Sequence, residues 1–253
     1  MPASSPSPVL VFDLDGTILD VNSFPRWAGF LMAGRIAGLG AAVRARLAWD
    51  TAVLIGRRKL RRMSHDELAR DLEETWHRYA TPVAAATFQA RLHRHVRPGM
   101  RPILELVAGG QMDAVMATAA AADYAVGFGL DLGFRHVLAT PEHRGPDEPM
   151  NVGPRKRQRV RELLIRNGWQ DRPQILFTDH IDDLPLMRDS RLVCWYGPPR
   201  NMAEAQGLAP NARFIPCRDL SGEHVLAIVI GSLEVAPRAS QAAAAWWSLI
   251  AES

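Results

Sequence analysis

The sequence predicts an α/β fold built on a parallel β-sheet, and two patterns support this prediction. Short, wholly apolar runs such as Val9–Phe12 are typical of strands buried on both faces of a parallel sheet. Several of these runs are followed by an acidic or hydroxyl residue, namely Asp13, Thr118 and Asp179. Helical patterns separate the runs, and one long helical segment, residues 22–96, interrupts the alternation.

The length and the net charge limit the domain organisation and the class of ligand that can be expected. With 253 residues, the chain is long enough for one sizeable core with a smaller second domain, or for one large α/β domain. The net charge of +3 is small, so it indicates an anionic ligand at most and gives no support to a nucleic-acid partner.

The cysteine content and the first eight residues indicate the cellular compartment of the protein. Cys194 and Cys217 are the only cysteines, which predicts no disulfide framework and fits a cytoplasmic protein. Residues 1–8 are rich in Pro and Ser and lack the basic and apolar regions of a signal peptide. They therefore predict a disordered tail.

The first strand is followed by two closely spaced aspartates. The strand period places Asp13 and Asp15 on the same side, and Gly16 lets the backbone turn away after them. Ligands of open α/β sheets bind at the carboxyl ends of the strands. Two carboxylates this close either bind a divalent cation or require one of them to hold a proton. The alternative is an ordinary surface Asp-Gly turn.

Residues 13–17, DLDGT, resemble the DxDGT signature of the haloacid dehalogenase (HAD) superfamily, most of whose members are Mg²⁺-dependent phosphohydrolases. The resemblance implies a doubly wound parallel sheet with an all-helical cap inserted after the first motif, as in the phosphoserine-phosphatase-like branch. The α/β core then comprises residues 9–21 and 97–253, and the cap comprises residues 22–96. The alternative interpretation, which does not use the resemblance, is that residues 22–96 form a crossover connection with extra helices.

Local signals divide the helical segment. Ser64 and Glu67 form a capping box that begins one helix. Thr81 and Pro82 mark the start of the next helix, with Thr81 as its N-cap.

Two other stretches of this segment have unusual composition. Residues 27–43 are nearly apolar but contain Arg35 and are too short for a membrane span, so they indicate a packed helical hairpin in preference to an interfacial helix. The basic run at residues 57–62 is either a solvated face or a surface that attracts anionic substrates or anionic lipid.

The second strand, residues 112–118, ends in Thr118. HAD proteins place Ser or Thr here, and its hydroxyl and the following amide bind the transferring phosphoryl group. The resemblance therefore implies these roles for Thr118 and Ala119. Taken alone, Thr118 is typical of an N-cap for the next helix, and the two roles are compatible.

Lys156 follows Gly153 with the Gly-x-x-Lys spacing common in the same superfamily. An ammonium group here would neutralise the aspartate nucleophile and the developing phosphoryl charge. Arg155 is the alternative if the register differs by one residue.

Asp179 and Asp183 follow the apolar run at residues 174–178 and match the acidic fourth motif of the superfamily. This match implies that Asp179 reaches a Mg²⁺ ion held by the Asp13 carboxylate and the Asp15 carbonyl. Asp183 then either completes the metal shell through water or holds the lysine.

The fourth motif departs from the common Gly-Asp-Ser-x-Asn-Asp form, because Thr178, His180 and Asp182 replace Gly, Ser and Asn. His180 is expected to be a hydrogen-bond partner and not a metal ligand, because Mg²⁺ prefers oxygen. After this motif, residues 192–196 predict a strand, residues 213–216 and 226–230 are further apolar pieces, one of them an edge strand, and residues 242–250 predict a terminal helix.

The resemblance implies a Mg²⁺-dependent phosphatase that hydrolyses a phosphomonoester through an aspartyl-phosphate. Asp13 is the nucleophile and Asp15 the general acid and base. The expected catalytic residues are Asp13, Asp15, Thr118 and Lys156. The expected phosphate-binding residues are Leu14, Asp15, Thr118, Ala119 and Lys156. The expected Mg²⁺ ligands are Asp13, Asp15, Asp179 and Asp183.

The substrate is narrowed only by exclusion. Asn22 stands where phosphoserine phosphatases carry a glutamate, and Ala119 and Ala120 replace their Gly-Gly, so both positions disfavour phosphoserine. A small phosphorylated substrate is the expected partner. One alternative is a phospholipid-head-group phosphatase, similar to those acting on phosphatidylglycerophosphate. Such an enzyme would work at a membrane surface, which is possible but not the favoured location. The other is a catalytically impaired Mg²⁺-dependent binding protein of the same fold.

Overall fold

The computed structural model describes residues 7–34, 36, 38–60, 62–79, 81–143, 145 and 148–231. Most of the predicted N-terminal tail and all of the predicted terminal helix at residues 242–250 lie outside the described residues.

A six-stranded parallel sheet forms the centre of the fold, as the sequence predicted. Its strands are β1 Val9–Phe12, β2 Ala114–Ala121, β3 His136–Thr140, β4 Gln174–Thr178, β5 Leu192–Trp195 and β6 Arg213–Pro216. The strand order is β3-β2-β1-β4-β5-β6, and every pairing is parallel. The order diverges from β1 in both directions, which places a ligand-binding crevice at the carboxyl end of β1.

Ten α-helices accompany the sheet in the described part of the chain. They are α1 Ser23–Met32, α2 Ala41–Lys59, α3 His65–Tyr79, α4 Pro82–Leu92, α5 Arg101–Ala108, α6 Ala122–Asp131, α7 Gly153–Arg166, α8 Leu184–Met187, α9 Pro199–Leu208 and α10 Gly222–Gly231. Residues 226–230 therefore belong to α10, and the edge strand is β6.

The continuous apolar run of β1 arises because both of its faces are covered. Leu10 and Phe12 pack in one hydrophobic cluster, whereas Val9 and Val11 pack in a second cluster on the opposite face. Phe12 stacks on Phe177 of β4 with a ring-centroid distance of 4.2 Å. This double burial fixes the point at which Asp13 leaves the sheet.

The structure corrects the predicted end of the second strand. β2 continues through Thr118 to Ala121, and its pairing with β3 shifts register between Ala117 and Ala121. The N-cap of α6 is Ala121, so Thr118 does not cap that helix. Its hydroxyl instead accepts a hydrogen bond from the Ala120 amide at 3.0 Å.

Four helices, α1 to α4, lie between β1 and β2 and form the helical insertion. The capping box begins α3: the Ser64 amide donates to Glu67 Oε2 at 2.6 Å, and the Glu67 amide donates to Ser64 Oγ at 3.1 Å. Thr81 Oγ1 accepts from the Ala84 amide at 3.1 Å and is the N-cap of α4. Both predicted helix starts are confirmed.

The chain enters and leaves the helical insertion side by side. Leu19 and Val96 form an isolated antiparallel bridge, and the Asp20 amide donates to the His95 carbonyl at 2.9 Å. The Arg97 amide donates to the Ile18 carbonyl, also at 2.9 Å. We propose that the boundaries of the cap fall at this paired connection.

The helical insertion packs against α6 of the core. Trp27 of α1 is fully buried, and its ring centroid lies 5.4 Å from that of Tyr124. Phe88 of α4 meets the same tyrosine edge-on at 5.1 Å. Burial of Trp27 confirms that residues 27–43 begin with a core-packed helix. No described helix combines the length and apolarity needed to cross a bilayer.

Candidate active site

A cavity of about 490 Å³ opens at the carboxyl ends of β1, β2 and β4, beneath the helical insertion. Its walls include seven of the eight residues predicted for the site, which are Asp13, Asp15, Thr118, Ala119, Lys156, Asp179 and Asp183. The eighth, Leu14, is fully buried in the hydrophobic core, so its side chain does not reach the cavity.

Lys156 joins the two ends of the predicted site. Its ammonium donates to Asp13 Oδ1 at 2.9 Å and to Asp183 Oδ1 at 2.6 Å. The second oxygen of Asp183 accepts from the Thr178 hydroxyl at 2.7 Å. Thr178, which replaces the usual glycine of the fourth motif, thus holds Asp183 toward Lys156.

Lys156 is only 3% exposed, so its charge interacts strongly with the charges of Asp13 and Asp183. Burial lowers the pKa of Lys156, but the carboxylates of Asp13 and Asp183 outweigh that effect and raise its pKa overall. Burial raises the pKa of Asp13, and Lys156 opposes the rise, whereas the charges of Asp183 and Asp179 add to it. One lysine cannot fully compensate several buried carboxylates.

Arg155, the alternative to Lys156, faces away from the cavity. Its guanidinium lies 3.5 Å from Glu148, and both side chains are more than one-third exposed. The structure therefore brings Lys156, and not Arg155, to Asp13.

Asp15 has a different environment from Asp13. The Ser23 amide donates to Asp15 Oδ1 at 2.7 Å, and the Ser23 hydroxyl donates to Asp15 Oδ2 at 3.0 Å. The Tyr124 hydroxyl lies 2.8 Å from Ser23 Oγ. Because the serine proton points to Asp15, the tyrosine must donate to the serine. Burial raises the pKa of Asp15 to about 6, although the two hydrogen bonds from Ser23 lower it.

Gly16 brings Asp179 close to the first motif. Gly16 has φ of 73°, in the left-handed region that favours glycine, and a Cβ at this position would overlap the Asp179 carboxylate. Arg97 donates to the Gly16 carbonyl at 2.9 Å and so fixes the turn. Burial raises the pKa of Asp179, the nearby His180 lowers it, and the charge of Asp183 raises it further.

The β2 side of the cavity is held by Asn151 and Thr140. The Asn151 side-chain amide donates to the Thr118 carbonyl at 3.0 Å and to the Leu138 carbonyl at 2.8 Å. The Thr140 hydroxyl donates to the Ala119 carbonyl at 2.7 Å. These bonds satisfy backbone groups that the register shift leaves out of the sheet ladder, and they fix Thr118 and Ala119 at the cavity wall.

His180 and Asp182 lie at the open side of the cavity. Each side chain is 58% exposed, and His180 Nδ1 lies 3.2 Å from Asp182 Oδ2. The same nitrogen accepts from the Asp182 amide at 3.2 Å. His180 thus caps the short turn before α8.

The cavity wall is rich in carboxylates, with six aspartates and one lysine. Oxygen donors of this kind fit Mg²⁺, and an excess of buried negative charge is relieved either by a bound cation or by protonation of a carboxylate. In this geometry Asp183 is held by Lys156 and Thr178, and Asp15 is held by Ser23. Among the predicted metal ligands, Asp13 and Asp179 are therefore the carboxylates at the cavity wall that could hold a metal.

Sequence reasoning did not identify Ser23, Tyr124 and Arg97 as contributors to the site. Tyr124 is 101 residues from Ser23, and Arg97 is 81 residues from Gly16. Only the position of Ser23 at the start of α1, shortly after the first motif, gives a local signal.

Comparison with protein-family models identifies the family of this chain. A model of the haloacid dehalogenase-like hydrolases matches residues 10–188. A search of curated proteins finds no match.

Solved structures share the fold at low sequence identity. A protein of unknown function from Bordetella pertussis Tohama I superposes with a TM-score of 0.62 at 20% identity, over 83% of this chain and 99% of that one. A probable phosphoserine phosphatase from Vibrio cholerae gives a TM-score of 0.59 at 13% identity, over 93% and 67% of the two chains. A substrate-bound phosphoserine phosphatase gives 0.52 at 10% identity, over 88% and 99%.

The match covers more than half of the chain and includes Asp13, Thr118, Lys156 and Asp179. The six-stranded parallel sheet with its helical insertion is the fold shared with the phosphoserine phosphatase structures. The chain therefore belongs to the haloacid dehalogenase-like hydrolase family.

Proposed function

We propose that this hydrolase is a phosphatase that cleaves a phosphomonoester through an aspartyl-phosphate on Asp13. The observation that carries the proposal is the buried contact between Lys156 and Asp13 at the carboxyl end of the central strand. The lysine holds the carboxylate in place and provides positive charge where a phosphoryl group would gain negative charge.

Asp13 and Asp15 divide the chemistry between them. An Asp13 oxygen forms a bond to phosphorus while the bond from phosphorus to the substrate oxygen breaks. Asp15, in its protonated form, gives its proton to the departing oxygen. Asp15 then takes a proton from the water that attacks the aspartyl-phosphate, which releases phosphate and restores Asp13. A pKa of about 6 suits both steps near neutral pH.

Other groups hold the phosphoryl oxygens. Thr118 and Ala119 line the cavity on the β2 side of β1, whereas Asp179 lines it on the β4 side. In this proposal the Thr118 hydroxyl and the Ala119 amide serve as donors. A Mg²⁺ ion held by Asp13, Asp179 and the Asp15 carbonyl would neutralise phosphoryl charge when bound. Asp183 orients Lys156, since both of its oxygens accept hydrogen bonds from protein groups.

The substrate proposed is a small phosphomonoester other than phosphoserine. Asn22 lines the cavity, and its side-chain oxygen accepts from the Phe24 amide at 2.9 Å as the N-cap of α1. An amide committed to a helix cap offers no negative charge to a substrate ammonium, so the cavity lacks that recognition element at residue 22.

Replacing the nucleophile tests the proposal directly. Asp13→Asn is expected to reduce hydrolysis of p-nitrophenyl phosphate by at least about 10³-fold, because the amide cannot form the covalent intermediate. Asp20→Asn is the matched control, since Asp20 lines the same cavity but its carboxylate contacts His95 at 3.2 Å. Activity is measured with Mg²⁺ and with EDTA, and circular dichroism verifies folding.

Substantial turnover by folded Asp13→Asn would contradict the nucleophile assignment. Absence of turnover by the wild type on a broad phosphomonoester panel with Mg²⁺ would favour the impaired binding protein.

The Ser23 contact predicts a shift in pH dependence. Its hydrogen bonds lower the pKa of Asp15, so Ser23→Ala is expected to raise that pKa above about 6. Loss of one such bond corresponds to roughly one pH unit or less. Asp15 then stays protonated to higher pH. In the pH profile of kcat/KM for an alkyl phosphate, the decline at high pH is therefore expected to shift to higher pH. Tyr124→Phe leaves the Ser23–Asp15 bond in place and is expected to shift the decline less. An unchanged decline in Ser23→Ala, or one shifted to lower pH, would refute the assignment of Asp15.

A second candidate, the head-group phosphatase, is favoured by one surface. The outer face of α2 and its C-cap expose Trp49, Val53 and Leu60, which are 68%, 43% and 65% accessible and share one helical face. Arg57 is exposed beside this face. Apolar side chains flanked by basic ones suit the interface of an anionic membrane.

Vesicle binding tests this second candidate. The wild type is expected to co-sediment with phosphatidylglycerol vesicles at low salt, and Trp49→Ala is expected to weaken binding about tenfold through loss of buried apolar area. Val83→Ala, which removes an exposed apolar side chain on α4, is the control. If the wild type stays in the supernatant, the membrane-surface function is excluded while the phosphomonoester proposal stands.

A further inference from the structure

A second group of metal-ligating side chains lies outside the cavity, where the helical insertion meets the core. His77 lies near the end of α3, Asp123 is in the first turn of α6, and Glu142 and His143 follow β3. None of these four residues has a role in the hydrolysis described above.

The geometry of the group is compact. His77, Glu142 and His143 each offer one ligand atom, and these atoms all lie within 4.8 Å of one another. The two imidazole rings have a centroid distance of 4.0 Å. In the described part of the chain, no other set of three or more His, Cys, Asp or Glu side chains meets this criterion.

Asp123 provides an independent indication that a cation belongs here. Its side chain is only 2% exposed, and Oδ1 lies 2.5 Å from His77 Nε2. The other oxygen, Oδ2, is buried and has no hydrogen-bond partner among the described residues. A buried carboxylate with one unused oxygen, close to a second carboxylate, is stabilised by a nearby positive charge.

We propose that His77, Glu142 and His143 bind a divalent transition-metal ion such as Zn²⁺, with Asp123 orienting His77. Two imidazoles and one carboxylate match the ligands that Zn²⁺ prefers, whereas Mg²⁺ prefers oxygen alone. Tetrahedral Zn²⁺ ligands stand roughly 3.4 Å apart, so small rotations of the exposed Glu142 and His143 complete the site. A carboxylate that contacts a metal-bound imidazole fixes the orientation of that ring.

Such an ion would tie α3 of the helical insertion to the core. Asp123 adjoins Tyr124, which packs against Trp27 and reaches Asp15 through Ser23. A metal ion bound by His77 would therefore stabilise the packing of the helical insertion against α6 of the core. This inference does not depend on the proposed phosphatase activity.

Zinc titration of the full-length protein tests the proposal. The protein is stripped of metal and titrated calorimetrically with Zn²⁺ in excess Mg²⁺, which is expected to compete for the aspartate-rich cavity. The wild type is expected to bind one equivalent of Zn²⁺. His77→Ala and His143→Ala are expected to weaken binding by at least about tenfold, and Asp123→Asn by roughly 10- to 100-fold. Co²⁺ in place of Zn²⁺ reports imidazole coordination by its visible absorption.

His93→Ala is the matched control, because His93 lies 3.6 Å from Asp131, another aspartate of α6, but belongs to no such group in the described chain. It is expected to leave the Zn²⁺ affinity unchanged. His143 is exposed, so its replacement leaves the core intact. The proposal is overturned if the wild type binds no Zn²⁺ in excess Mg²⁺, or if His77→Ala and His143→Ala both bind it with wild-type affinity.

Discussion

One buried ammonium group shared by two carboxylates is the interaction on which the site depends. Lys156 contacts Asp13 after β1 and Asp183 after β4, and so links two neighbouring strands of the sheet to α7. Removing one partner of such a set leaves an uncompensated charge in a dry environment, which costs about 3–5 kcal/mol. Asp179 adds a further carboxylate to this region, and the negative charge that remains supports the proposed cation site.

The two aspartates of the turn after β1 have different surroundings. Asp13 faces a lysine, whereas Asp15 accepts two hydrogen bonds from Ser23, a residue of the helical insertion. Carboxylates whose surroundings differ in this way can act as nucleophile and as acid. Because Ser23 in turn contacts Tyr124 of the core, the environment of Asp15 depends on how the insertion packs against α6.

Local features of the fold could be predicted from the residues, and the family resemblance also brought Asp13, Lys156 and Asp183 to one site. Other contacts between distant residues could not be predicted. The buried strands, the capping box at Ser64 and the N-cap at Thr81 follow from patterns within a few residues. The extension of β2 past Thr118 was missed because its backbone is held by Asn151 and Thr140, which follow in the chain. The contact between His77 and His143 joins residues that no spacing rule connects.

The most direct test is the effect of Mg²⁺ on thermal stability in the wild type and in Asp179→Asn. Without Mg²⁺ at neutral pH, the variant is predicted to be at least as stable as the wild type, because it lacks one largely buried carboxylate beside Asp183. Saturating Mg²⁺ should stabilise the wild type, by about 2.7 kcal/mol at a hundredfold excess over Kd, and should stabilise Asp179→Asn far less. Equal stabilisation of both proteins by Mg²⁺ would contradict the account.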